Sequence, residues 1–315
     1  MSSVKSAAKS ARKTAAPQAK AGRLLIVGTG DIAQRALPQL VRQFTVFAMT
    51  RSEAGVKALS GLGVTPVLAD LDRPDSMREL PAADVLLHAA PPQLKGARDD
   101  RTRNLVNAIA RAAKGALPRR VVYVSTSGVY GDCRGAHIDE ARMTNPGTDR
   151  ARRRCDAEQV LAEWTGRHDG TLVVLRAPGI YGDNRFPLAR LREGTPVLTR
   201  EDDVFTNHIH AEDLAAICAA ALEEGVPGGI YNTVDDSTIL MGDWMDLVAD
   251  GFGLPRPPRI LRSEARERIP APMLSFMSES RRLVNKRLKR DMGYVLRFPT
   301  VADGVKAAVS RRKAA

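Results

Sequence analysis

At 315 residues with 43% hydrophobic content, the chain is long enough for one large α/β domain with a smaller annex, and its composition is that of a soluble globule. No stretch approaches membrane-spanning length, and Cys133, Cys155 and Cys218 are odd in number, far apart and without metal spacing, which argues against a disulfide framework or zinc site and for a reducing cytoplasm. The net charge of +12 is uneven: residues 1–22 hold Lys5, Lys9, Arg12, Lys13 and Lys20 without one acidic residue, and this Ala/Ser/Lys-rich stretch reads as a disordered basic tail, with weak nucleic-acid attraction or a transit peptide as alternatives.

The first folded signal is Leu24-Leu25-Ile26-Val27 followed directly by Gly28-Thr29-Gly30-Asp31-Ile32-Ala33. The apolar run predicts a buried strand, and the stripe Ile32, Ala36, Leu37, Leu40, Val41 predicts a helix after it. Gly28 permits a tight turn, the missing Cβ of Gly30 lets a phosphate reach the chain, and small Ala33 lets the helix pack close to the strand. The first-turn N–H groups then face the anion. Gly28, Thr29, Gly30, Asp31 and Ile32 are therefore candidate ligands of a dinucleotide, with a purely structural turn as the alternative.

Further strands are predicted at 45–49, 63–68, 84–88, 119–124 and 171–175, with helices at 98–114 and 149–167 between the later ones. Near-continuous apolar strands alternating with helices imply a parallel sheet covered on both faces, hence an α/β, doubly wound parallel Rossmann sheet with its ligand at the switch point beside the first strand. Beyond Pro178 the alternation loosens into Pro- and Gly-punctuated segments, apart from a helix predicted over 211–224. The expected division is 23–179 with 207–226 as the dinucleotide-binding domain and 180–206 with 227–315 as a smaller C-terminal substrate-binding lid.

Read together, several stretches resemble the extended short-chain dehydrogenase/reductase family of nucleotide-sugar epimerases and dehydratases. They are the glycine turn, Ala69-Asp70-Leu71-Asp72, His88-Ala89-Ala90, Ser125-Thr126-Ser127-Gly128-Val129-Tyr130-Gly131, Leu175 to Gly182, Asn207 to Leu214 and Ile230-Tyr231-Asn232. The resemblance implies that Asp70 and Leu71 border the adenine, that Ala89 and Ala90 pass the ribose, and that Pro178 shapes the nicotinamide pocket. The cofactor choice turns on the end of the second strand, where NAD enzymes carry a carboxylate for the ribose 2′-OH. Thr50-Arg51-Ser52 stands there instead, and a guanidinium suits a 2′-phosphate, so NADP(H) is preferred with NAD(H) as the alternative.

The same resemblance implies a Tyr-x-x-x-Lys proton-transfer pair on the helix after the fifth strand, yet no such motif occurs in the chain. Anchoring on Ala157-Glu158 puts Arg150 at the tyrosine position and Arg154 at the lysine position. Four residues apart, they share one helix face, but guanidinium stays protonated and cannot shuttle a proton. Arg150 could polarise a carbonyl or hold an anion, and Arg154 could donate to ribose hydroxyls, while Arg152 and Arg153 read as solvated. Thr126 matches the family's active-site hydroxyl, and Tyr181 and Tyr130 are substitute candidates for the lost phenol. His208 and His210 read as a strand-to-helix junction rather than a metal or acid/base site.

The expected activity is that of an atypical NAD(P)-dependent oxidoreductase acting on a carbonyl or hydroxyl of a small-molecule substrate, a sugar nucleotide being one option. The catalytic candidates are Thr126, Arg150, Arg154 and Tyr181. The alternative is a noncatalytic NADP(H)-binding regulator. Nucleic-acid binding through the tail and Arg281 to Arg290 would be weak and non-specific, no membrane partner is expected, and the assembly stays open between a single chain and a homodimer.

Overall fold

The computed structural model describes residues 20–112 and 117–314. Most of the basic tail, and the helix end expected at Lys114, lie outside the described residues. Strands β1 (Arg23–Val27), β2 (Thr45–Thr50), β3 (Thr65–Leu68), β4 (Val85–His88), β5 (Arg120–Thr126), β6 (Thr171–Ala177) and β7 (Gly229–Asn232) form one seven-stranded sheet. Its order is β7-β6-β5-β4-β1-β2-β3 and every neighbouring pair is parallel. Leu24 lies opposite Val46 on one side and Val85 on the other, so strand order reverses around β1 and opens a crevice at its carboxyl end.

Alternate residues of these strands serve opposite faces, as strand geometry requires. Leu24, Ile26, Val122 and Val173 pack with α1 (Asp31–Gln43) and a helix at Ala211–Ala220, whereas Leu25, Val27, Val121 and Val174 pack with the helices Asp100–Ala112 and Asp149–Gly166. In chain order we number the main helices α1, α2 (Glu53–Leu59), α3 (Asp100–Ala112), α4 (Asp149–Gly166) and α5 (Ala211–Ala220). Side-chain caps fix three starts: Ser52 accepts from Gly55 N in α2, Thr148 accepts from Ala151 N at 3.2 Å in α4, and His210 accepts from Glu212 N in α5.

Two boundaries differ from expectation. The helix expected to run to Glu224 stops at Ala220, because the buried Arg120 guanidinium draws the carbonyls of Ala221, Glu224 and Val226 toward itself at 3.3, 3.1 and 2.9 Å. Residues 229–232, placed in the lid by sequence, instead complete the central sheet as β7, with Tyr231 and Asn232 fully buried. The glycines and prolines before this strand hid it, since they break the alternation that marks the earlier strands.

Among the later elements, α6 (Met241–Phe252) and α7 (Val301–Ala314) enclose a separate core with Leu191, Val197, Trp244, Val248 and Val305, whereas Leu288 and Leu296 pack into the sheet core. Asp213 of α5 ties this lid to the sheet by accepting from Tyr294 Oη at 2.9 Å, Arg297 N at 2.7 Å and Phe298 N at 3.0 Å. Among the described residues, no helix is long and apolar enough to cross a membrane.

Candidate active site

The turn after β1 is forced by packing as much as by a ligand. Gly28 has φ +92°, and a Cβ there would sit 2.3 Å from the backbone nitrogen of Ala90 at the end of β4. Gly30 is the opposite case: it caps α1, and nothing lies within 4 Å of where its Cβ would be. Thr29 Oγ1 donates to Met49 O at 3.2 Å and fixes the turn to β2, while Ile32 and Ala33 are buried beneath it. One glycine thus closes the turn, and the other leaves an open cradle above the helix N-terminus.

A cavity of about 550 Å³ runs from this cradle past Ala89, Val124 and Pro178. A second, of about 440 Å³, lies between the sheet edge and the lid, walled by Phe205, Met241, Asn207, His208, Glu279 and Arg281. Thr126, Arg150, Pro178 and Gly179 border both. Thr126 Oγ1 accepts from Gly128 N at 3.3 Å at the mouth of β5. Arg150 reaches into the junction from the first turn of α4; burial, then the Arg154 cation, lowers its pKa, opposed by Glu279.

Arg154 lies one turn along α4. Its Nη1 donates to Val124 O and Tyr123 Oη, both at 2.9 Å, and lies 3.4 Å from Ala90 O, so it braces the ends of β4 and β5 beneath the first cavity. Arg153, expected to be solvated, is only 5% exposed, donates to Gly96 O and lines the same cavity; Arg152 is exposed and pairs with Asp149. The correction follows from the packing of the 91–98 loop against α4, which no helix periodicity reveals. Beneath Thr126, Ser125 Oγ donates to Glu158 at 2.5 Å and Glu158 pairs with the buried Arg176 at 2.7 Å. Arg176 in turn covers the Tyr130 ring at 4.7 Å.

The substitute phenols do not reach the junction. Tyr181 is 1% exposed, its hydroxyl donates to Thr300 O at 3.1 Å, and it packs in the lid core, where burial raises its pKa. Tyr130 Oη is held by Asn232 Oδ1 at 2.8 Å. The chain has five tyrosines, and Tyr123, Tyr231 and Tyr294 likewise spend their hydroxyls on Arg154, Pro227 O and Asp213. His210 caps α5 by accepting from Glu212 N at 3.2 Å, and burial holds His208, on the wall of the second cavity, at a pKa of about 3 and therefore neutral.

The adenine-end candidates sit at the β2–β3 edge, beyond the described lining of either cavity. Arg51 is exposed; Thr50 closes the β2 end, its Oγ1 filling the space where a Cβ on Gly55 would go. Asp70 Oδ1 accepts from Asp72 N at 3.0 Å, an Asx turn, and Leu71 is buried with its carbonyl taken by Asn104. Arg185, Glu158, Arg176, Arg281 and Glu279 join the site without having been singled out by sequence as ligands, because their spacing along the chain carries no motif.

The Gly30 cradle, the Gly28 close approach and the long groove past Ala89 fit an extended dinucleotide. A family model described as NAD(P)H-binding matches residues 28–225, and the chain belongs to that family. It is 26% identical over 243 residues, 72% of each chain, to the 4-hydroxy-2-methyl-3-oxo-4-farnesyl-3,4-dihydroquinoline-1-oxide ketoreductase of Stigmatella aurantiaca. Among solved structures, a functionally unknown conserved protein from Silicibacter pomeroyi superposes with a TM-score of 0.77 at 29% identity, covering 93% of this chain and 99% of that one. A putative NAD-dependent epimerase/dehydratase from Methylobacillus flagellatus superposes with a TM-score of 0.71 at 25% identity and the same coverage. The chain is thus an NAD(P)H-binding protein of the extended short-chain dehydrogenase/reductase, epimerase/dehydratase-like type.

Proposed function

We propose that the protein is an NADP(H)-dependent carbonyl oxidoreductase that works without the tyrosine-lysine pair, Arg150 and Arg154 standing in those positions. The observation that carries this reading is the meeting of the two cavities at Thr126, Arg150 and Pro178. The bound nicotinamide would supply or accept the hydride at that junction. Thr126 is the hydroxyl available to orient the substrate oxygen. Arg150 is a fixed cation that stabilises negative charge as it develops on that oxygen, and the proton that completes the alcohol comes from water, because guanidinium does not release one.

Arg154 keeps β4 and β5 in register under the cofactor groove. The choice of NADP(H) rests on Arg51 at the end of β2, where no carboxylate opposes a 2′-phosphate. The apolar side of the second cavity, Phe205 and Met241, and its volume of about 440 Å³ favour a small carbonyl compound over a whole sugar nucleotide. The ketoreductase name of the Stigmatella relative supports the same reaction class. In this reading the lid is the substrate-binding unit, comprising 180–206 and the segments after β7.

The test is NADPH oxidation against a panel of ketones, aldehydes and sugar nucleotides, with Arg150→Ala beside the wild type. Turnover should fall about 100-fold in kcat, the loss typical of one oxyanion donor, with NADPH affinity little changed. Tight NADPH binding with no oxidation by any member of the panel would overturn the enzyme reading in favour of a noncatalytic cofactor-binding protein.

A further inference from the structure

Among the described residues, the lid borders the dinucleotide groove through the short strand Gly179–Tyr181 and the loop that follows it. Three polar ties hold it. Asp183 accepts from Arg311 of α7 at 2.8 Å, Asn184 accepts from Arg35 of α1 at 3.0 Å, and Arg185 Nε donates to Asp31 Oδ2 at 2.8 Å. Asp31 is the first residue of α1, directly after the Gly30 cradle, and its other oxygen accepts from Arg35 Nε at 2.9 Å. Arg185 lines the same cavity as Gly28, Gly30 and Ile32. A lid guanidinium therefore stands at the helix N-terminus where the turn would hold a pyrophosphate.

A carboxylate at this spot works against a dinucleotide. Burial pushes the Asp31 pKa up, but Arg185 and Arg35 outweigh it and leave the group below the ordinary carboxylate range, so it stays ionised at neutral pH. A pyrophosphate drawn to the α1 N-terminus then meets a fixed negative charge, unless a cation bridges the two. Arg185 has the geometry to bridge. Only its Nε is engaged by Asp31; the two terminal nitrogens make no hydrogen bond to any described residue. A guanidinium presents five donors in a rigid fork, so one edge can hold a carboxylate while the other holds a phosphate.

We propose that Arg185 is a lid-borne pyrophosphate clamp, oriented by Asp31 through Nε and closing its terminal amino groups over the dinucleotide phosphates. Through Asp183–Arg311 and Asn184–Arg35 the clamp links cofactor occupancy to the seating of the lid, and hence to the substrate cavity. The inference rests on the glycine-turn groove being the dinucleotide site and is independent of the reaction assigned to the protein.

The experiment is calorimetric titration of the full chain with NADPH and with NADH at two salt concentrations, for wild type, Arg185→Ala and Arg185→Lys. Loss of a pair of charge-assisted hydrogen bonds should weaken both dinucleotides about 10–100-fold in Arg185→Ala and flatten the salt dependence. Lysine should recover part of the loss, as a point charge without the fork. The ligand-free melting temperature of Arg185→Ala should stay near that of the wild type, since a partly exposed pair contributes little to stability. Arg185→Ala binding both dinucleotides within twofold of wild type would overturn the clamp. A wild type that binds neither dinucleotide would overturn the groove assignment itself.

Discussion

The Ser125–Glu158–Arg176 network is a buried charged group beneath Thr126, and its removal has a calculable consequence. Glu158 accepts from Arg176 Nε at 3.2 Å and Nη2 at 2.7 Å, and from Ser125 Oγ at 2.5 Å. The Arg176 side chain is 4% exposed and that of Glu158 11%, so solvent screens the pair little. Burial alone would lower the Arg176 pKa, and Glu158 overrides it and raises the value. With Glu158 removed the guanidinium still stays protonated, because its intrinsic basicity is too high for it to lose the proton in a protein. Glu158→Gln should then cost about 3–5 kcal/mol, most of it the uncompensated buried guanidinium. Glu158→Gln combined with Arg176→Met removes that charge, and should cost much less than the sum of the two single changes. Guanidinium-chloride unfolding of the wild type, both singles and the double measures the coupling. Additivity within about 0.5 kcal/mol would refute the reasoning, since it would mean the two side chains are energetically independent.

Two more outcomes follow from the site's geometry. Gly28→Ala should destabilise the protein by at least about 1–2 kcal/mol through its positive φ alone, with the approach to Ala90 N adding to this, whereas Gly30→Ala should leave unfolding unchanged and weaken NADPH binding, because its Cβ would meet only the incoming ligand. Paired unfolding and titration curves check this, and equal stability of the two variants would contradict it. Asp235, 2% exposed and followed by Asp236, has its pKa pushed up to about 7, first by burial and then by the charges of Asp236 and Asp213, against the hydrogen bond from Ser237. The folded state therefore holds its proton above the pH at which the unfolded chain releases it, and stability falls as pH rises through roughly 4 to 7. The full shift corresponds to about 4 kcal/mol, of which about 2–3 kcal/mol should be lost between pH 5 and pH 8. Asp235→Asn should abolish that slope, and an unchanged slope would show that other groups set it.

The sheet was legible because each strand from β1 to β6 is a compact apolar run and each turn chemistry is local. The glycine turn shows the same thing at higher resolution, since backbone freedom at Gly28 and open space at Gly30 are properties of residues adjacent in sequence. β7 was not legible as part of the sheet, because the glycines and proline at 225–229 break the apolar run that marks the earlier strands. Arg153 and Arg185 show the second limit. An arginine in sequence is an exposed cation until the fold gives it a partner: the 91–98 loop packs over Arg153, and Asp31 of α1 engages Arg185. Tyr181 fails in the converse way, because a phenol near a strand end is a plausible acid until Thr300, just before α7, presents its carbonyl to the hydroxyl.

All five tyrosines have their hydroxyls engaged away from the junction. Besides its arginines, the titratable side chains walling the second cavity are His208 and Glu279. His208 is kept neutral by burial, and Glu279 is paired with Arg281 at 2.7 Å. At Arg150 and Arg154, α4 offers charge without acidity. In the proposed reaction such a site would hold a developing oxyanion against Arg150 and take its proton from water. General-acid help is worth about 10²–10⁴-fold, so a reductase built this way suits substrates whose oxyanion is already stabilised by conjugation or by a neighbouring electron-withdrawing group.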